Sequence, residues 1–220
     1  MRKFPEIIKK RTENQLIKSF IDHFEKAISR SNQKNKRFSF VLTGGNSPKR
    51  LYRKLSYSIK NWKNVDFFWG DERIVSKRSR NSNYNLANRL LFKNNKIGKK
   101  QIFSIKTNLK DISLIARNYE NNIKNYFKNN LKSFDLIILG MGNDGHIASI
   151  FFNDKKIRNK SLVRGIIRKD FFRVTLGIDL INKSKRIWLW LPSIKKTNIY
   201  NKFKNKKDIP VSLLNKKKLK

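Results

Sequence analysis

The sequence predicts an α/β fold built on a mostly parallel sheet with helices on both faces. Short apolar runs alternate along the chain with longer segments in which apolar residues recur every three or four positions. The run Leu136–Leu139 has no polar residue within it, which is typical of a strand buried on both faces. Because strands that alternate with helices are joined by crossover connections, we expect the strands to be mostly parallel.

The first predicted elements are a helix and a strand. Apolar residues recur at helical spacing over residues 16–28, and an apolar strand at residues 38–43 follows a polar connector. This strand ends at Gly44 and Gly45. Pro48 fits the first turn of the next helix, whose apolar face continues through Leu51, Tyr52 and Leu55.

The remaining elements follow the same logic. Asp111 is a candidate N-cap for a long amphipathic helix, and Pro192 and Ser193 open a final helix that runs to Phe203. The other predicted elements are strands at residues 65–69, 102–105, 136–139, 171–176 and 187–191, and a helix at residues 81–92.

We expect residues 1–220 to form a single domain, because no linker long enough to divide the chain is present. Residues 204–220 are mostly charged, and we expect a basic, loosely ordered tail. Residues 209–214 within this tail are apolar enough to pack against the domain.

The formal net charge of +38 is typical of a nucleic-acid-binding protein, but the distribution of the charge is not. Lysine is mixed with asparagine and isoleucine along the whole chain, as a biased genome composition would produce, and no basic stripe is interleaved with exposed aromatic residues. We therefore expect a solvated cationic surface, no specific nucleic-acid partner, and only weak binding to polyanions at low salt.

Other classes of protein are excluded by composition. The chain has no cysteine, so it forms neither disulfides nor thiolate metal sites. No apolar stretch approaches the roughly 20 residues that span a bilayer, and residues 1–10 do not resemble a secretory signal. We expect a cytoplasmic protein without a membrane partner, as a monomer or a weak homodimer.

His146 is the first candidate for a catalytic side chain. It is one of two histidines and lies in a turn with three glycines, directly after the predicted strand at residues 136–139. Open α/β sheets bind ligands at the carboxyl ends of their strands, and an imidazole there can act as a base near neutral pH. In isolation, a lone histidine here would be expected only to hydrogen-bond the start of a helix. The other histidine, His23, lies on a predicted helix with no such turn.

Two more segments leave strand ends. Residues 43–48 contain Gly44 and Gly45 and open a helix, which suits a phosphate, although such turns are often only structural. Arg73 ends the segment at residues 69–73 and could bind a phosphate or an oxyanion. Asp71 or Glu72 could orient Arg73, or form a local ion pair with it.

Two cations near the C-terminal end are further candidates. Arg173 lies inside an apolar predicted strand, where a cation needs either a ligand anion or a structural carboxylate as its partner. Lys196 is one lysine among many on the last predicted helix and carries little weight alone.

Together, these segments resemble the 6-phosphogluconolactonases, which belong to the glucosamine-6-phosphate isomerase/6-phosphogluconolactonase superfamily. The similarity extends from about Arg37 to Tyr200, with the motifs in the family's order. The matching stretches are residues 43–48 with Leu51, Tyr52 and Leu55, residues 69–75, residues 82–84, residues 134–151, residues 173–176 and Asn182.

The resemblance implies a three-layer, Rossmann-like α/β fold of the CoA transferase-like type, with neither a metal nor an organic cofactor. It implies that His146 is the general base that activates water for hydrolysis of a sugar-phosphate lactone, 6-phospho-D-glucono-1,5-lactone, and that Asp144 fixes the histidine loop. The residues implied to bind the phosphate and the carbonyl side are Arg73, Arg173 and Lys196, and those implied to line the pocket are Gly44, Gly45 and Asn46.

The sequence departs from the family pattern in ways that concern the site. Serine stands where proline, histidine and glycine are usual, at residues 76, 79 and 193, and Asn81 replaces an aspartate. Two alternatives remain open. A glucosamine-6-phosphate deaminase would carry a glutamate shortly after the histidine, where residues 147–153 have no carboxylate, and a catalytically inactive homologue would bind nucleic acid.

Overall fold

The computed structural model describes residues 8–109, 111–128, 133–152, 154, 157, 161–204, 206 and 209–219. The α-helices in these ranges are α1 (Glu13–Gln33), α2 (Lys49–Ser58), α3 (Asn83–Ala87), α4 (Ile112–Tyr126), α5 (Ile178–Lys183) and α6 (Ile194–Phe203). The strands are β1 (Phe38–Leu42), β2 (Val65–Trp69), β3 (Asp71–Arg73), β4 (Leu136–Leu139), β5 (Val163–Ile166), β6 (Arg173–Leu176) and β7 (Ile187–Leu189).

The main sheet has the order β2-β1-β4-β7, and each of its pairs is parallel. The four strands of this sheet are almost entirely buried. The predicted α/β class and the mostly parallel sheet are therefore confirmed.

Two neighbouring phenylalanines of β2 show that helices cover both faces of this sheet. Phe67 packs against Trp62, with ring centroids 5.5 Å apart, and Trp62 packs against Phe24 of α1. Phe68 points the opposite way and lies 4.9 Å from the ring of Tyr126 on α4. Because successive side chains of a strand alternate between faces, α1 and α4 lie on opposite sides of the sheet.

A second sheet, β3-β6-β5, is antiparallel and was not predicted. The chain passes from one sheet to the other at Gly70, whose N–H donates to Leu42 O of the main sheet and whose carbonyl accepts from Leu176 N of the second. β3 is the charged tripeptide Asp71–Arg73, and β5 contains both Arg164 and Gly165. Neither strand has the apolar pattern by which sequence reasoning finds strands.

Three predicted elements differ in detail. Residues 102–105 were predicted to form a strand, but they form only one bridge, between Ile102 and Phe67, after a 3₁₀ turn at Lys99–Gln101. The helix predicted at residues 81–92 is α3 followed by a π-helical turn, Asn88–Phe92. The strand predicted at residues 171–176 begins only at Arg173.

The described part of the C-terminal tail packs on the domain. Ile209, Val211 and Leu214 are buried beside the 3₁₀ turn Pro210–Leu213. Asn182 holds this segment, because its Nδ2 donates to Leu213 O and its Oδ1 accepts from Asn215 N. The apolar part of the tail thus packs as its sequence allows.

Candidate active site

Four of the predicted site segments lie at the carboxyl edge of the main sheet, whereas Arg173 lies on β6 of the second sheet. Register places Leu42 of β1 beside Trp69 of β2, and Leu139 of β4 beside Leu189 of β7. The segments that follow these strand ends carry Gly44, Arg73 at the end of β3, His146 and, at the start of α6, Lys196. These residues come from distant parts of the sequence, and parallel pairing brings them to one edge.

His146 lies in a tight loop that closes on itself. Gly142 N donates to His146 O at 2.8 Å, and Gly145 N donates to Gly142 O at 3.2 Å. Gly145 has a φ of +82°, which favours glycine. The imidazole is about one third exposed, and its Nδ1 lies 2.5 Å from Asp144 Oδ1. The loop therefore presents the ring to solvent with one nitrogen held by a carboxylate.

Gly142 makes room for this ring. A Cβ atom on Gly142 would lie 2.1 Å from both Nδ1 and Cε1 of His146 and 2.7 Å from Asp144 Oδ1. Any side chain at residue 142 would displace the histidine and its carboxylate partner. The absence of a side chain at residue 142 is therefore needed for the position of His146 and not only for the turn.

The charges of His146 and Asp144 determine which of the two donates their hydrogen bond. Burial alone would raise the pKa of Asp144, but the charge of His146 and its hydrogen bonds outweigh burial and lower this pKa below the ordinary value. Asp144 is therefore an ionised acceptor, so Nδ1 of His146 carries the proton that it donates. Nε2, the other ring nitrogen, has no hydrogen-bond partner among the described residues and is the nitrogen that accepts a proton when the ring acts as a base.

Phe151 connects the histidine to the second sheet. Its ring lies 4.6 Å from the imidazole centroid, and the guanidinium carbon of Arg173 lies 5.7 Å from the same ring. Arg173 is in turn the register partner of Arg73, across the antiparallel pair of β6 and β3. The structure thus brings His146, Arg173 and Arg73 into one region.

Both arginines have protein partners. Arg173 forms a bidentate pair with Asp170, at 2.8 and 2.5 Å, and also donates to Phe171 O. The sequence left open whether the partner of Arg173 is a ligand anion or a structural carboxylate, and in the structure Asp170 is that carboxylate. Arg73 donates from Nη1 to Asn81 O at 2.7 Å, so it holds the loop in which Asn81 departs from the family pattern.

The expectation that Asp71 or Glu72 orients or pairs with Arg73 is wrong. No ion pair of Arg73 is found among the described residues. Glu72 instead caps α3: its carboxylate accepts from the backbone N–H groups of Arg73, Asn83 and Tyr84. Burial raises the pKa of Glu72, although these donors oppose the shift. The carboxylate satisfies a helix end that would otherwise leave buried donors unpaired.

Asp71 joins three site segments, which sequence reasoning missed. Its carboxylate accepts from Ser149 Oγ at 2.6 Å and lies 3.3 Å from Asn83 Nδ2. All three residues are buried. Ser149 belongs to the histidine loop and Asn83 to α3, so the carboxylate ties both to β3. The only sequence signal was the polar composition of each segment, which does not specify their pairing.

Lys196 contacts the histidine loop directly. Its Nζ donates to Met141 O at 2.6 Å and to Asn143 Oδ1 at 3.1 Å. Burial, followed by the neighbouring charge of Lys195, lowers the pKa of Lys196, while Asp144 acts in the opposite direction. Ser193, where the family usually has glycine, is the N-cap of α6 and accepts from Lys196 N.

The glycine turn after β1 lies against α3. A Cβ on Gly44 would lie 1.8 Å from Asn83 Oδ1, so only glycine allows this contact. Gly45, with a φ of +80°, and Asn46 are exposed. Trp190 anchors the turn from the end of β7, because its Nε1 donates to Ser47 O at 3.0 Å. Gly44 therefore contacts Asn83, which is hydrogen-bonded to Asp71, while Gly45 and Asn46 face solvent.

His23 is not part of this region. Its Nδ1 lies 2.7 Å from Ser19 O within α1, and its ring packs 5.5 Å from Trp188. A groove of about 410 Å³ is also elsewhere, between residues 8–16, the end of β7 and α6, and no predicted site residue lines it. No helix of the described ranges is long and apolar enough to cross a membrane.

A family model described as "Glucosamine-6-phosphate isomerases/6-phosphogluconolactonase" matches residues 11–220. The chain belongs to the glucosamine-6-phosphate isomerase/6-phosphogluconolactonase family. A relative from Dictyostelium discoideum, named "Probable 6-phosphogluconolactonase", is 30% identical over 208 residues, which cover 92% of this chain and 86% of the relative. A 6-phosphogluconolactonase from Synechocystis is 33% identical over 153 residues, which cover 68% of this chain but only 64% of the relative.

Solved structures of this family share the fold. The crystal structure of 6-phosphogluconolactonase from Thermotoga maritima superimposes with a TM-score of 0.82 at 28% identity, covering 92% of each chain. The 6-phosphogluconolactonase from Trypanosoma cruzi gives a TM-score of 0.76 at 26% identity, covering 86% of this chain and 80% of that one. The resemblance read from the motifs and the prediction of an enzyme of this family are therefore confirmed.

Proposed function

We propose that the chain hydrolyses 6-phospho-D-glucono-1,5-lactone to 6-phospho-D-gluconate, with His146 as the general base. The observation that carries this proposal is the 2.5 Å contact between His146 Nδ1 and Asp144 Oδ1 on a partly exposed loop. It leaves Nε2 of a correctly oriented imidazole free for water. The family and the names of its lactonase relatives support the choice of substrate.

In the proposed reaction, Nε2 takes a proton from a water molecule as the water oxygen bonds to the lactone carbonyl carbon. The tetrahedral intermediate carries its negative charge on the former carbonyl oxygen, which a nearby cation stabilises. The bond from this carbon to the ring oxygen then breaks, and the ring oxygen receives the proton from His146. The products are a carboxylic acid and a free hydroxyl, so atoms and protons balance.

We assign the binding of the anionic parts of the substrate to Arg73, Arg173 and Lys196, and the pocket lining to Gly44, Gly45 and Asn46. Support comes from the Arg73–Arg173 register pair near Phe151 and from the Lys196 contact with the histidine loop. We expect Asp144 to act by orienting His146, and the reaction to need no metal or organic cofactor.

The test is hydrolysis of the phosphorylated lactone followed by titration of the released acid, with a blank, because the lactone also opens spontaneously. We expect turnover above the blank, and a loss of about 10²- to 10⁴-fold in His146→Ala. His23→Gln is the matched control and should retain wild-type turnover. Wild-type turnover at the blank rate would refute the activity, and an unimpaired His146→Ala would refute the base.

Two assays separate the alternatives. Incubation with glucosamine 6-phosphate should release no ammonia, because residues 147–153 contain no carboxylate that could serve as the deaminase's glutamate. Binding to a labelled DNA duplex should vanish as the salt concentration rises to the physiological range, because it depends on counterion release alone. Salt-resistant binding together with an inactive chain would favour the nucleic-acid alternative.

A further inference from the structure

The loop between β5 and β6, residues 167–172, places a third arginine in the region of the candidate base. The guanidinium carbon of Arg168 lies 4.0 Å from the centroid of the Phe151 ring, which itself lies 4.6 Å from the imidazole of His146. The ring of Phe151 therefore contacts both the base and this cation. Arg168 is one basic residue among many in the sequence, and nothing there distinguishes it.

Arg168 differs from the other cations of the site in its bonding. Arg73 donates to a backbone carbonyl, Arg173 is neutralised by Asp170, and Lys196 donates to the histidine loop. Arg168 is exposed and, among the described residues, forms neither a hydrogen bond nor an ion pair. Its five N–H donors are therefore available to a ligand without the loss of an existing polar contact.

The contact with Phe151 gives the side chain a preferred position. A guanidinium over an aromatic face is attracted by the ring, and stacking leaves the edge of the planar group open to an anion. A guanidinium binds phosphate through two parallel hydrogen bonds, so a partly oriented arginine loses less freedom on binding than a lysine would.

We propose that Arg168 is a substrate-binding residue that holds the 6-phosphate of the lactone while the water activated by His146 attacks the carbonyl carbon. This inference rests on the proposed function. In the substrate, the carbonyl carbon and the phosphate are attached on opposite sides of the ring oxygen, so the base and the phosphate-binding group must also be separated. The Phe151 ring contacts both His146 and Arg168, and solvent reaches both of these side chains.

The experiment compares two substrates, the 6-phosphorylated lactone and unphosphorylated glucono-1,5-lactone, with four proteins: wild type, Arg168→Gln, Arg168→Lys and Lys169→Gln. Lys169 is the matched control, because it is an exposed cation of the same loop with no aromatic contact in the described structure. Arg168→Gln should raise KM for the phosphorylated lactone about ten- to hundred-fold, with little change in kcat. Arg168→Lys should recover part of this loss.

For unphosphorylated lactone, Arg168→Gln should match the wild type, since the missing interaction is with the phosphate. An unchanged KM for the phosphorylated lactone, or an equal rise for both substrates, would overturn the assignment. A wild type without turnover would instead refute the proposed function. Calorimetric titration with 6-phosphogluconate then tests the role of Arg168 in binding without relying on catalysis. Arg168→Gln must bind this anion more weakly than Lys169→Gln does.

Discussion

Arg73 and Arg173 are register partners on β3 and β6, although nearly half of the chain separates them in sequence. Like charges directly opposite each other on a sheet are destabilising unless they are neutralised. Asp170 neutralises Arg173, whereas the side chain of Arg73 donates, within the described residues, only to the carbonyl of Asn81. The pair therefore leaves uncompensated positive charge near His146, where the substrate is proposed to bind.

A phosphorylated ligand should stabilise the folded protein through this charge. Addition of 6-phosphogluconate at 100 times its Kd should stabilise the wild type by about 2.7 kcal/mol, measured as a rise in Tm. Arg73→Gln and Arg173→Gln should show a much smaller rise at the same concentration. Arg53→Gln, which removes an exposed charge from α2, is the control and should respond like the wild type. An equal response of all variants would contradict the assignment of the two arginines.

Asp144→Asn should lower kcat, but by less than His146→Ala, because the amide holds the ring less well while the base remains. The difference in stability between the wild type and this variant should also depend on pH. The pKa of Asp144 is lowered in the folded state. The ionised carboxylate therefore contributes fully to stability above the ordinary pKa of about 3.9, and this contribution is lost as the pH falls through the pKa that Asp144 has in the folded protein. Urea unfolding of both proteins from neutral to acidic pH should show the wild-type advantage shrinking. An advantage that grows in acid would have the wrong sign.

Gly142→Ala should abolish most activity without unfolding the protein, because its methyl group would occupy the position of the imidazole. The matched control is Gly140→Ala. A Cβ there would lie 3.6 Å from Thr43 Oγ1, an ordinary contact. Circular dichroism should be the same for both variants, and lactone hydrolysis should differ sharply. Comparable activity in the two would show that the ring can move aside at no cost.

Glu72→Gln should destabilise the fold by about 1–3 kcal/mol, because one oxygen that accepts buried N–H and O–H groups is replaced by an amide that cannot accept. The affected donors are Tyr84 N and Ser82 Oγ on one oxygen, or Arg73 N and Asn83 N on the other. Glu25→Gln, on the exposed face of α1, changes the charge equally and should be near neutral. Urea midpoints measure both. Equal midpoints would show that the cap is dispensable.

Most of the fold could be predicted because each element carries a local pattern. The helical spacing from Leu16 to Ile28 lies within α1, and the apolar run after Phe134 forms β4. Asp111 caps α4 through its carboxylate, as its position before an amphipathic segment indicates. The second sheet could not be predicted, since β3 and β5 are stabilised by their pairing with β6 and have no apolar alternation of their own.

The site was predicted only in part, for a related reason. His146 and its glycines are neighbours in sequence, so the loop was recognisable. The roles of Asp71 and Glu72 were not, because a carboxylate beside an arginine in sequence looks like its ion-pair partner. In the structure, both carboxylates are buried and accept from residues 82–84 and 149 instead.

The sequence by itself determined the parallel sheet, the histidine loop and the family, since these depend on residues that lie close together along the chain. Only the tertiary structure decided which cations lie near His146 and which already have partners. A side chain's electrostatic partner is set by distance in space and by burial, and a chain this rich in lysine and arginine offers no local signal for either.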